Sequence, residues 1–228
     1  MLLEQLSLCS PDYAHIRAIL SGSYETILNT NDTMILHSNI SNVYAVETLD
    51  ICEPLLQKIY QLSPQLLETT NETLFQLLSC QNEILFEHKY KCIQYNFPNI
   101  ATAEKDTHLE LLHPSDISYV IETYGSETYI RQLFSHNRLM GYYINSVLIG
   151  YIAYHIDGSI GALYVNPDYR KKGYGTSIVK AALSVFEDSS LFSQVIEDNK
   201  ASIKLHEALH ADKSDIKICW LYNGEFSF

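Results

Sequence analysis

The chain has 228 residues, 46% of them hydrophobic, which is ordinary globular content for one large domain or two small ones. Its net charge is −12, with 5 basic against 13 acidic residues up to residue 106 and 10 against 14 beyond it, so nucleic acid and anionic membrane are excluded as natural partners. Five scattered cysteines (Cys9, Cys52, Cys80, Cys92, Cys219) form no C-x-x-C pair, which points to free thiols in a reducing cytoplasm and away from zinc.

Residues 1–10 lack the basic flank of a signal peptide and carry Glu4, and no apolar run along the chain approaches the ~18 residues a membrane span needs. Residues 11–20 read as a helix with Asp12 in its first turn, stopped at Ser21-Gly22. Short apolar runs at 26–28, 34–37 and 43–46, separated by Asn, Asp and Ser, read as hairpin-like strands. Two helices are predicted at 53–62 and 64–78, parted by Ser63-Pro64, where proline suits a first helical position. Residues 84–97 alternate imperfectly and read as one or two strands ending at Pro98. The first 106 residues show no catalytic constellation, and His37 and His88 read as structural.

Residues 99–106 are polar and read as a linker, so the expected division is an accessory α/β domain at 1–106 and a second domain at 107–228. Beyond the linker come a strand at 108–112, helices at 114–124 and 127–134, and strands at 138–143 and 147–155 joined by a tight Asn145-Ser146 turn. A strand at 159–165 stops at Asn166-Pro167, and a helix with apolar Ile178, Val179, Ala182, Val185 and Phe186 begins near Tyr174. Between them lies Arg170-Lys171-Lys172-Gly173-Tyr174-Gly175. Its glycines permit a tight turn and the close approach of a bulky group, and the following helix start offers unpaired N–H groups to an anion. No Gly-Lys-Ser/Thr exists, which excludes a P-loop, and Ile178 stands where a dinucleotide fingerprint needs its third glycine. A strand at 192–196, a helix at 200–210 and a strand at 216–222 complete the chain.

Val165-x-Pro167-x-x-Arg170-x-x-Gly173-x-Gly175, with a strand before and a helix after, resembles the acyl-CoA signature of the GNAT N-acetyltransferase superfamily. The element order from residue 108 is that family's order, and Asn199-x-x-Ser202-x-x-Leu205-His206-Glu207-x-Leu209 resembles its second segment. His155-x-x-Gly158-Ser159-x-Gly161 and Trp220-Leu221 resemble a bacterial branch akin to glycine N-acyltransferases, which carries an extra N-terminal region. The resemblance implies a mixed, mainly antiparallel sheet flanked by helices, an α/β (α+β) fold, preceded by a smaller α/β domain that could be a degenerate copy. It implies acetyl-CoA as acyl donor and no metal. The loop residues Arg170, Lys171, Lys172, Gly173, Tyr174, Gly175 and Thr176 would hold the pyrophosphate. Leu163, Tyr164 and Val165 would pair with the pantetheine, one of their N–H groups facing the thioester oxygen, and Asn199 and Ser202 would contact the pantetheine arm.

The sequence departs from the family where protons are handled. His206 stands where many members carry a tyrosine, and His210-Ala211 replaces Gly-Phe. His206 is thus a candidate acid for the leaving thiolate, and His155, Asp157 and Glu197 are candidate bases at strand ends. The expected partners are acyl-CoA and a small amine or amino acid, with the chain a monomer or homodimer. The rival readings are a protein or peptide N-acetyltransferase and a catalytically silent acyl-CoA-binding module.

Overall fold

The structure is a computed structural model that describes residues 1–6, 11–22, 24–38, 42–81, 86–97, 106–155, 157–186 and 191–224. The expected linker lies outside the described residues except for Asp106, as does Cys9. In chain order the elements are α1 (Leu2–Gln5), α2 (Ala14–Ser21), β1 (Tyr24–Asn29), β2 (Thr33–Ser38), β3 (Val43–Thr48), α3 (Glu53–Leu62), β4 (Leu66–Thr69), α4 (Glu72–Gln81) and β5 (His88–Asn96). There follow β6 (Leu109–Leu111), α5 (Ile117–Tyr124), α6 (Glu127–Ser135), β7 (Leu139–Ile144), β8 (Val147–Tyr154), β9 (Ile160–Val165), α7 (Tyr174–Val185), β10 (Phe192–Ile196), α8 (Lys200–Ala208) and β11 (Asp212–Tyr222).

Local chemistry accounts for most of these boundaries. Gly125, at φ 93°, ends α5, and Asn145 and Ser146, at φ 50° and 63°, make the two-residue turn that matches the twist of the β7–β8 hairpin. The predicted helix over 64–78 is corrected: residues 66–69 are strand β4, and α4 starts only at Glu72. Leu66–Thr69 has a parallel partner in β3 and an antiparallel one in β11, and those ladders hold an extended backbone that propensity alone would have coiled. Asn71 then accepts the Leu74 amide at 2.9 Å and opens the helix.

Among the described residues the strands form two sheets, one in the order β1-β2-β3-β4-β11-β5-β10 and one in the order β6-β7-β8-β9. The β3–β4 pair is parallel and the other pairs are antiparallel, so the fold is mixed α/β with mainly antiparallel sheets, as the family resemblance implies. The large sheet crosses residue 106. Strand β5, from the first half, lies between β10 and β11 of the second, while β11 lies between β4 and β5. Its Cys219 and Leu221 enter the core built by β2, β3, α3 and α4. Phe97, just past β5, joins the core under α7. α5 and α6 bury Val120, Ile130 and Leu133 against β7 and β8. Each large apolar side chain so buried contributes about 1.5–3 kcal/mol.

The two sheets meet where β9 approaches β10. Among the described residues they share a single parallel bridge, Ser159 to Phe192. Residues of both strands line the cleft described next.

Candidate active site

The basic loop follows β9. Asn166 accepts the Asp168 amide at 3.2 Å, a single 3-10 turn spans Pro167–Tyr169, and Arg170 turns back to donate from Nε to the Val165 carbonyl at 2.9 Å. The Arg170 guanidinium also sits 5.4 Å from the centre of the Tyr164 ring. Lys172 donates to the Asp168 carbonyl at 2.9 Å. Arg170 and Lys172 thus brace the loop, while Lys171, at φ 59°, is exposed. Gly173 caps α7 at φ 87°, a conformation that costs other residues ~1–2 kcal/mol, and a Cβ there would meet nothing within 4 Å. The glycine therefore serves the backbone turn and leaves open space before the first turn of α7, where the Tyr174, Gly175 and Thr176 amides precede the first helical bond. Unpaired amides at a helix start favour an anion.

Strand β9 carries a bulge. Tyr151 faces Tyr164 and Ala153 faces Gly161, so Ala162 and Leu163 both stand against Ile152, with Ala162 at φ 50°. A bulge removes one residue from regular pairing and leaves backbone groups free for a ligand. Leu163, Tyr164 and Val165 all line the cleft, whose volume is about 770 Å³.

The expected proton carriers are placed very differently from one another. His206 is 5% exposed and packed in the wall: Ser193 Oγ lies 2.5 Å from Nε2, Nδ1 lies 2.7 Å from the Ser202 carbonyl, and the ring stacks on Tyr95 at 4.8 Å. A carbonyl can only accept, so Nδ1 donates, and Nε2 accepts from Ser193. Both nitrogens are spent, and burial holds the imidazole below its ordinary pKa. Glu197 is absent from the cleft wall; it forms an ion pair with Lys217, whose hydrogen bond holds its carboxyl below the usual range. Asn199 caps α8 by accepting the Ser202 amide at 3.0 Å, and both residues line the cleft. Lys172 and Thr176 stand outside its wall.

Of the candidate bases, Asp157 and His155 line the cleft. The His155 Nδ1 lies 2.6 Å from the Tyr129 hydroxyl, and the His155 carbonyl accepts from Arg138 at 2.7 Å. A Cβ at Gly161 would stand 2.6 Å from its Nε2, so the imidazole lies flat against β9 only because residue 161 is glycine. Burial lowers its pKa, Asp157 pulls it upward and Arg138 lowers it, which leaves the ring neutral at pH 7.

Beyond His155 the wall comes from both halves of the chain. Asn42, Gln65 and Leu66 of the first half meet Tyr124, Tyr129 and Trp220 of the second. Sequence reading named none of the six as a site residue, because their signal is an arrangement in space; Trp220 entered only through the family resemblance. Burial raises the Tyr124 phenol and pushes Tyr151 beneath it up to about 12, so both remain protonated donors. Among the described residues no group of three His, Cys, Asp or Glu side chains is arranged to hold a metal ion, and no helix is long and apolar enough to cross a membrane.

Residues 101–211 match the model of the acetyltransferase (GNAT) family. No curated protein matches the chain. Among solved structures, a Drosophila protein is similar over 97% of this chain and 85% of its own, at 18% identity and a TM-score of 0.61. A functionally unknown conserved protein from Staphylococcus epidermidis covers 88% of this chain and 94% of its own, at 13% identity and a TM-score of 0.56. A GNAT-family acetyltransferase from Colwellia psychrerythraea covers 98% and 97%, at 12% identity and a TM-score of 0.50. At such identities the likeness concerns the fold, and it extends over both halves.

Proposed function

Because residues 101–211 make this chain a member of the GNAT acetyltransferase superfamily, we propose that it transfers an acetyl group from acetyl-CoA to a primary amine of a small molecule. The observation that carries the reading is the continuity of one surface. The open first turn of α7 behind Gly173, the bulged β9 and the neutral His155 all border the same cleft.

Bound acetyl-CoA supplies an activated thioester. The loop amides and Lys171 hold its pyrophosphate, and the β9 backbone at Leu163–Val165 presents an N–H donor to the carbonyl, a contact worth ~3 kcal/mol of barrier. His155 Nε2 takes the proton of the acceptor amine when Nδ1 carries the ring proton and donates to Tyr129, a tautomer the 2.6 Å contact permits. His206 and Glu197 take no part in this scheme, since the first is spent in packing and the second in an ion pair outside the cleft. The expelled thiolate, of a thiol with pKa near ~8.5, needs no strong acid. We propose further that residues 1–106 and 107–228 act as one catalytic unit, because the first half supplies wall to the cleft and strand β5 to the second half's sheet.

Release of free CoA from acetyl-CoA on addition of small amines tests the reading directly. Turnover that requires an amine supports it; acetyl-CoA binding without amine-dependent release would favour a silent binding module.

A further inference from the structure

The base of the proposed scheme sits on the turn that joins β8 to β9. The His155 amide donates to the Ser159 carbonyl at 2.7 Å, and the Gly158 amide to the His155 carbonyl at 3.1 Å. Gly158 holds φ 88°, and Asp157 accepts the Ser159 amide and hydroxyl at 2.9 and 2.7 Å, which stiffens the turn from within. From outside, both halves of the chain press on it. A Cβ built on Gly158 would stand 2.7 Å from the Ala18 Cβ of α2 and 3.8 Å from the Phe192 ring of β10. The turn and α2 thus meet with no room for a methyl group between them.

α2 is itself anchored. Its Ile16 and Ile19 are buried among Met34, Leu36 and Ala45 of β2 and β3. Asp12, just ahead of the helix, accepts the Asp215 and Ile216 amides of β11 at 3.1 and 3.4 Å. His15 lies 3.6 Å from Glu47, whose carboxylate accepts the Thr70 amide at 2.8 Å. A helix so fixed does not yield to the turn, and the turn takes its place from the helix.

We propose that Ala18 and Gly158 are positioning residues: through their contact, α2 of the first half sets where the His155 imidazole stands in the cleft. The proposal rests on the acyltransferase reading for the ring's task and adds what holds the ring to it. The ring's other supports, Tyr129, Arg138 and Gly161, all belong to the second half. A larger residue at 18, or any side chain at 158, would lift the turn and draw the ring away from Tyr129 and β9.

NMR titration of the full chain tests this without any acceptor, following the His155 ring protons, which are identified by their loss in His155→Gln. The titratable and charged groups that face the ring are Tyr129 from α6, Arg138 ahead of β7 and Asp157 of its own turn. In the wild type the ring should titrate below ~6.5. Ala18→Val and Gly158→Ala are each expected to move that titration up towards ~6.5, as the ring leaves its site for water. Valine at 18 asks for no unusual φ, so at least one variant keeps the fold. Adding Ala18→Gly to Gly158→Ala should return the titration part of the way, because it removes the clash while the φ strain at 158 is common to both variants. Calorimetric CoA affinity should be unchanged throughout. In amine-dependent CoA release, kcat should fall about 10-fold in Ala18→Val and ~100-fold in Gly158→Ala, the scale of a misplaced reacting group. An unmoved titration in the folded single variants, or no return in the double variant, overturns the proposal. A titration that moves as expected in a chain without amine-dependent release supports the contact and breaks the acyltransferase reading alone.

Discussion

At the loop end of the cleft, the groups that face a ligand come from one stretch, residues 165–175, and are mostly backbone. At the other end they are side chains brought from Gln65 and Leu66, from Tyr124 and Tyr129, from Asp157 and from Trp220. In the proposed scheme the first end recognises an anion through amides and a helix start, which any sequence with the right glycines provides. The second would recognise whatever its side chains complement, and it exists only once β4 and β11 pair. On that proposal donor recognition is a local property of the chain, and acceptor recognition is a property of the assembled sheet.

The comparison breaks most sharply on truncation. A fragment of residues 107–228 retains the whole loop but loses β5, the shared neighbour of β10 and β11. It is expected to be insoluble or unfolded by circular dichroism; a folded fragment that binds CoA would show that the halves are separable after all. Within the full chain, Gly173→Val should cost ~100-fold in acetyl-CoA affinity, because valine strains at φ 87° and displaces the turn. The wild type should gain about 2.7 kcal/mol at 100-fold excess over Kd, a shift that thermal melting should find missing in the variant.

His155 lies between the two ends. His155→Gln is expected to lower kcat about 10²-fold, and Gly161→Ala by a similar factor, since the new methyl displaces the ring. Tyr129→Phe should cost less, and acetyl-CoA binding should hold in all three. The proposed base works neutral, and its folded pKa lies below ~6.5, so kcat/KM for the amine should fall as pH drops through that lower value and not at 6.5. A profile that is flat in the wild type, or identical in His155→Gln, would remove the residue from the chemistry.

His206 should behave in the opposite way. His206→Ala is expected to cost ~2–4 kcal/mol in urea denaturation, from lost packing against Tyr95 and an orphaned Ser193, with kcat of the folded protein within a few-fold. The smallest effect concerns Glu68. Its folded pKa is raised, so below ~4.5 both states are protonated, whereas above it the unfolded chain ionises and the folded one does not. Native stability is therefore lost as pH rises towards the folded value. Glu68→Gln should remove that loss and raise Tm by about 2–4 °C more at pH 8 than at pH 5.

The sequence by itself determined the element order beyond residue 107, the loop and the family resemblance, because each rests on short-range physics. Apolar periodicity marks α7, proline stops β9, and Gly173 marks a turn that other residues do not adopt cheaply. It also named His155, Asn199 and Ser202, which the fold brings to the cleft. Glu197 was named on its strand-end position, yet the side chain turned to Lys217, since a lysine on β11, on the far side of β5, was not visible from spacing. Likewise β4 resembled a helix until its partners in β3 and β11 were in place, and His206 resembled a proton carrier until Ser193 and the Ser202 carbonyl occupied its nitrogens. Tertiary structure alone decided that β5 and β11 exchange places between the halves, and with that decided which side chains wall the acceptor end. Strand pairing across more than a hundred residues is set by the burial of whole faces, and no local pattern in the chain encodes it.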